Sequence, residues 1–235
     1  MDPSPQAHPG LMRKFIRRTT ISLLLLGVVL FGSAGTLRWQ AAWVYLAFAA
    51  AISFAGGFWL ARHDPGLLKE RLGSLIQRGQ KGWDKLLMVV MLTLWLSWLV
   101  LMGLDAKRYH WSHVPLYAQA FGFVVLCLGS YLVWLTFKTN SYAAPVIKIQ
   151  KERGHRVVTT GPYAYVRHPM YAGAVLFMVG APLLLGSWLG LLAAVLFIVL
   201  IGVRAVLEER TLKAELEGYA EYASRVRYRL VPRVW

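Results

Sequence analysis

Acidic side chains are scarce in this chain. Its 235 residues hold 11 Asp and Glu against 26 Lys and Arg, a formal net charge of +15. Charged residues make up only 16% of it, 57% is hydrophobic, and mean hydropathy is +0.48. A soluble domain carries roughly a quarter charged residues, so an ordinary soluble fold is excluded and length is no guide to domain number. There is one cysteine, Cys127, inside an apolar run. That excludes a disulfide framework and a multi-thiolate metal site, and Cys127 is expected to be a small buried hydrophobe. No G-x-G, P-loop, H-E-x-x-H or serine-hydrolase elbow occurs, so the usual dinucleotide, phosphate, zinc and nucleophile signatures are missing. No fixed-period repeat or low-complexity tract occurs, and no residues stand at metal-ligand spacing.

What the chain does have is long apolar runs. A membrane-crossing helix needs ~20 mostly apolar residues. Candidates are 19–37, 41–61, 86–104, 116–137, a shorter run 170–185 containing Pro182, and 188–207, with Gly186-Ser187 expected as a tight turn between the last two. The expected fold is therefore an all-α, polytopic integral membrane helical bundle of about six spans, the fifth short or hairpin-like. A charged helix is expected to continue the sixth span toward Tyr222. The stretch between spans two and three places Leu67, Leu68, Leu72, Leu75 and Ile76 at helical spacing, which predicts a helix lying along the membrane surface. No convincing small-residue cleavage site follows the N-terminal basic segment, so the first run is expected to be retained rather than removed.

The excess of positive charge tests this layout. Of the 26 basic residues, 23 fall in the N-terminal segment, the 62–85 and 138–168 connections, and the tail from Arg204. Only Arg38, Lys107 and Arg108 fall in the alternate loops. The asymmetry places both termini and those two connections in the cytoplasm. The charge then serves topology and anionic headgroups rather than nucleic acid. A single membrane domain over 1–235 results, with four N-terminal spans in 1–137 and the polar chemistry in 138–235. His110 and His113, flanking Trp111, lie in an opposite-side loop with no acidic or cysteine partner nearby.

Two constellations do not reduce to packing. The first is "TTGPYAYVRHPMYAG", Thr159–Gly173, which opens the fifth run. Gly161-Pro162 marks a turn and Pro169 suits the first turn of a helix. Helix-start N–H groups attract anions, with Arg167, His168 and Tyr171 as added donors. An interfacial belt explains Tyr163, Tyr165 and Arg167 but accounts poorly for His168-Pro169. The second constellation is "GVRAVLEERTLKAELEGYAEYASRVRYRLVP". Arg204 and Glu208 are four apart and share a helix face, at a depth where ionisable groups need a partner or a polar cavity. Glu208 and Glu209 are adjacent and like-charged, which does not look like a stabilising device. The alternative is an ordinary charged helix leaving the membrane.

Together, "GPYAYVRHPMYAG", a short helical hairpin, "EER-x-L" and "GYAEYASRVRYRLVP" resemble the isoprenylcysteine carboxyl methyltransferase family, membrane enzymes that use S-adenosylmethionine. The resemblance covers roughly the last 80 residues. It implies that His155, Arg156, Val157 and Val158 line the cofactor, with Tyr163 from the turn, His168, Pro169, Met170 and Tyr171 from the His-Pro-x-Tyr element, and Glu208 from the last helix. It also implies Arg204 and Glu208 as the catalytic pair, with Arg204 binding the substrate carboxylate and a further contact near Lys148. The expected activity is methyl transfer to a carboxylate on a lipophilic or lipidated acceptor taken from among membrane lipids. A carboxylate nucleophile needs no general base, only positioning, which a guanidinium provides bidentately. Three alternatives stand beside this. One is a phospholipid N-methyltransferase, whose usual G-x-G is absent. Another is an NADPH-dependent sterol or enone reductase, whose "RHPNY" has Asn where this chain has Met170. The last is a non-catalytic lipid-binding protein, which leaves the cytoplasmic cluster without a role.

Overall fold

A computed structural model describes residues 9–74 and 76–235; Leu75 and the first eight residues lie outside the described residues. All regular structure among them is helical: α1 (Pro9–Ala34), α2 (Gln40–His63), α3 (Pro65–Arg71), α4 (Gly82–Gly103), α5 (Leu116–Thr139), α6 (Pro169–Leu185), α7 (Trp188–Glu215) and α8 (Tyr219–Arg225). A single π-helical turn, Leu104–Arg108, extends α4. Five helices are long and apolar enough to cross a bilayer, α4 counted together with its π turn. The sixth, α6, has 17 residues and is about 25 Å long at 1.5 Å per residue. The chain is thus a polytopic helical membrane protein. Large apolar side chains such as Leu24, Leu25, Val28, Leu128 and Val199 face outward, as a lipid solvent permits. Cys127 is exposed on α5 rather than buried.

The core is built on close helix approach. α6 runs antiparallel to α5, and paired glycines set the spacing. A Cβ on Gly129 would stand 2.8 Å from the Gly173 carbonyl oxygen, and one on Gly180 would stand 2.7 Å from that of Gly122. Small residues at such crossings are what membrane helices use in place of hydrophobic driving force. The α6–α7 turn forms where it was expected. Gly186 takes a left-handed φ of 85°, and the Ser187 hydroxyl accepts from Gly190 N at the start of α7. The fully buried Asp105 ties the end of α4 to this turn by accepting from Ser112 Oγ, 2.7 Å, and Ser187 Oγ, 2.5 Å.

Two further sequence expectations are corrected. The helix after α2 covers only Pro65–Arg71, and Leu67 and Leu68 turn inward against Phe15, Leu60 and Ala61. Their apolar face therefore packs on the protein rather than on a membrane surface. Nor does α7 continue to Tyr222. It stops at Glu215, Gly218 adopts φ 78°, and α8 starts in a new direction. Gly218 is what permits the break, because a left-handed φ is strained for residues carrying a Cβ.

Candidate functional site

The basic connections all lie at one end of the bundle, where the α5–α6 connection, the start of α6, the end of α7 and α8 enclose a cleft. The space it encloses is about 90 Å³, well under the roughly 300–1,000 Å³ of small-molecule sites, so a cofactor-sized ligand would extend out through its open mouth. Thr159–Gly173 folds here as the sequence suggests. Gly161–Ala164 is a 3₁₀ turn, and Pro169 is the first residue of α6 behind His168. The tail completes the site. Backbone N–H groups of Arg167 and His168 donate to the carbonyls of Tyr228 and Arg229, each at 2.9 Å.

Of the residues picked from sequence, His155, Arg156, Val157, Val158, Tyr163, His168, Met170, Tyr171 and Glu208 all line this one cleft. Pro169 is fully buried behind it. Lys148 also lines it and is paired with Glu70 at 2.7 Å. Arg204 is not on the lining. One turn before Glu208, its Nε and Nη2 engage Asp84 Oδ1 at 3.0 and 2.9 Å, Nη2 donates to Pro145 O at 2.8 Å, and the guanidinium lies over the Tyr171 ring.

The adjacent glutamates part company. Glu208 faces the cleft, accepting from the Tyr171 hydroxyl at 2.5 Å through one carboxylate oxygen. Its other oxygen makes no hydrogen bond among the described residues. Glu209 is buried and gathers three partners: Arg167 Nε at 2.6 Å, Arg229 Nε at 3.1 Å and His168 Nε2 at 3.2 Å. Far from being a liability, Glu209 joins α7, the head of α6 and the tail. Arg167 is likewise structural, donating also to the carbonyls of Val226 and Arg227.

Several residues of the site carry no obvious sequence signal. Asn140 donates to Tyr163 Oη at 2.7 Å, and Tyr222 donates to Tyr163 O at 2.8 Å. Tyr219 lines the cleft with a buried hydroxyl that has no partner among the described residues. Burial pushes the Tyr163, Tyr219 and Tyr222 hydroxyls upward, so they stay neutral donors. Asp84, fully buried at the head of α4, accepts from Ile147 N and Gln80 Nε2 as well as from Arg204. It pins the loop that forms one wall of the cleft. A lone acid opening an apolar run is the signal that could have found it.

On the rim, His155 stacks on Tyr142 at 4.5 Å. Desolvation, and then the nearby Arg153, lower its pKa from 6.5 to about 4. The closed rim therefore resists protonation while an opened one accepts it. The stability contributed by this group is complete above pH 6.5 and is lost as pH falls toward about 4. Hydrogen exchange of residues 150–158, corrected for intrinsic rates, is expected to rise over that fall and to lose the dependence in His155→Phe. A flat wild-type profile would contradict this.

The lining suits a ligand with a cationic amino group and an aromatic base. Glu208 offers a free carboxylate oxygen, Tyr219 an orphaned hydroxyl, and Val157, Leu212 and Leu216 an apolar surface.

The sequence pattern of the phospholipid methyltransferase family matches residues 117–217. The chain is 29% identical over 156 residues to a protein-S-isoprenylcysteine O-methyltransferase of Schizosaccharomyces pombe, covering 58% of this chain and 65% of that one. It is 32% identical over 122 residues to protein-S-isoprenylcysteine O-methyltransferase B of Arabidopsis thaliana, covering 51% and 59%. It is also 32% identical over 95 residues to the Saccharomyces cerevisiae protein-S-isoprenylcysteine O-methyltransferase, covering 40% and 38%. The chain thus spans less than two thirds of the length of each of these relatives. By sequence, this chain is similar over part of its length to protein-S-isoprenylcysteine O-methyltransferases.

Proposed function

We propose that this protein is an integral membrane methyltransferase that moves a methyl group from S-adenosylmethionine to the carboxylate of a lipophilic, isoprenylcysteine-like acceptor. Six crossings would put the cleft and both termini on the cytoplasmic face, with 138–235 forming the cofactor-binding and catalytic region. The observation that carries the reading is the convergence of nine sequence-picked residues on one cleft beside a lipid-facing bundle.

Bound S-adenosylmethionine supplies a methyl group activated by its sulfonium. The chain's own residues supply position and charge. Glu208, held by Tyr171, balances the cationic amino group. Tyr163, fixed by Asn140 and Tyr222, bounds the base. Glu209 holds His168 and Arg167 so that the head of α6 cannot drift. Arg204, held by Asp84 and lying over the Tyr171 ring, would position the wall of the cleft that carries Tyr171 and Glu208. A carboxylate acceptor is already deprotonated near neutral pH, so the site needs no base.

Arg204→Ala is a poor test alone, since it strands the buried Asp84. Arg204→Lys retains the charge. It is expected to keep affinity for S-adenosylhomocysteine and to lose turnover by about 10²-fold, as a misplacement of about 1 Å can. Normal turnover would remove Arg204 from the reaction. The family match also favours a second reading, phospholipid N-methylation. Methyl transfer to phosphatidylethanolamine, with none to a farnesylcysteine acid, would establish it instead.

A further inference from the structure

Three arginines at the cleft are committed or solvated. Arg204 gives its Nε–Nη2 edge to Asp84, Arg167 gives Nε to Glu209, and Arg156 is exposed at the rim. Arg71, at the end of α3, is different. Its Nη1 donates to Ala143 O at 2.9 Å and touches Met170 Sδ at 3.8 Å. Both of those residues line the cleft, and Arg71 stands directly behind them rather than on the lining itself. Its guanidinium lies 4.3 Å over the Phe137 ring. Among the described residues no carboxylate pairs with it. The neighbouring Glu70 belongs to Lys148, and Asp64 faces Arg153. Its Nε and Nη2 make no hydrogen bond there. Yet neither is a sealed, orphaned atom, so both remain reachable.

A guanidinium largely removed from water without an anion is costly, and burial lowers the pKa of Arg71 to about 10. The open edge is the one a carboxylate engages side-on with two parallel hydrogen bonds. Arg71 also stands where the cleft wall meets the apolar cluster of Phe15, Leu67, Leu68, Leu72 and Ala143, with Phe54, Trp59 and Phe137 beside it. A head group at Arg71 would lie beside Met170.

We propose that Arg71 forms the carboxylate subsite of the acceptor, its Nε–Nη2 edge binding the acid. This rests on the methyl-transfer reading for the identity of the acceptor. The anion subsite itself stands or falls separately.

The test measures binding of an S-farnesyl thioether acid and of its primary carboxamide to the full chain in phosphatidylcholine nanodiscs, with S-adenosylhomocysteine titrated in parallel. Wild type should prefer the acid by about tenfold or more, the worth of charge-assisted hydrogen bonds. Arg71→Gln should lose that preference and keep its affinity for S-adenosylhomocysteine. Arg71→Lys should recover part of it, which a purely structural role would not produce. No preference in wild type, or an undiminished one in Arg71→Gln, overturns the proposal. So does Arg71-dependent retention of phosphatidylglycerol without acid preference, which would assign the edge to a lipid headgroup. An Arg71-dependent acid preference in a protein that does not bind S-adenosylhomocysteine would retain the subsite and discard methyl transfer.

Discussion

Glu209→Ala is expected to lose most of its folded protein, while Glu208→Ala, one residue away, folds normally. The difference lies in what each carboxylate holds. Glu209 is 3% exposed and is the common partner of Arg167, His168 and Arg229. Removing one partner of a buried pair leaves uncompensated charge and costs about 3–5 kcal/mol, a large part of the ~5–15 kcal/mol by which folded proteins are stable. It also releases the tail, because Arg167 anchors the carbonyls of Val226 and Arg227. Arg229→Ala removes only the most exposed of the three partners, whose side chain is 30% accessible, and should cost about 1 kcal/mol or less. Thermal unfolding in detergent, with the monodisperse fraction on size exclusion, reads both. An Glu209→Ala melting temperature equal to wild type would show that the network is not structural.

Glu208→Ala is expected to weaken S-adenosylhomocysteine binding by about 10²-fold, since a partly desolvated charge pair that loses one partner costs about 2–5 kcal/mol. Its carboxylate is the acid that lines the cleft at the depth of Tyr171, and its only protein hydrogen bond there, from Tyr171 Oη, leaves one oxygen for a ligand. Tyr171→Phe should weaken binding less, because it frees Glu208 to move without removing its charge. Tight binding by Glu208→Ala would place the ligand's amino group elsewhere.

The difference between these neighbours marks where sequence reasoning ended. The apolar runs fixed most helix ends to within about four residues, because span length and hydropathy are local properties; α1 instead begins ten residues ahead of its apolar run, at Pro9, through the basic segment. The Gly186-Ser187 turn and the Pro169 helix start were legible for the same reason. The residues around the cleft were found through their resemblance to a family motif. Glu209 was misjudged because its worth lies in Arg167 and Arg229, which reach it through the fold. Asp84 was missed because its partner Arg204 is 120 positions away. The inward turn of Leu67 and Leu68 could not be read from spacing, since a helical stripe fits a membrane surface and a neighbouring helix equally well.

The central claim is that the cleft binds S-adenosylmethionine and not a nicotinamide cofactor. Calorimetric titration of the purified full chain with S-adenosylhomocysteine, with NADPH as control, tests it most directly. The prediction is saturable binding of S-adenosylhomocysteine that is lost in Glu208→Ala, and no heat from NADPH. Saturable binding of NADPH alone would contradict the account and move the protein to the membrane reductases.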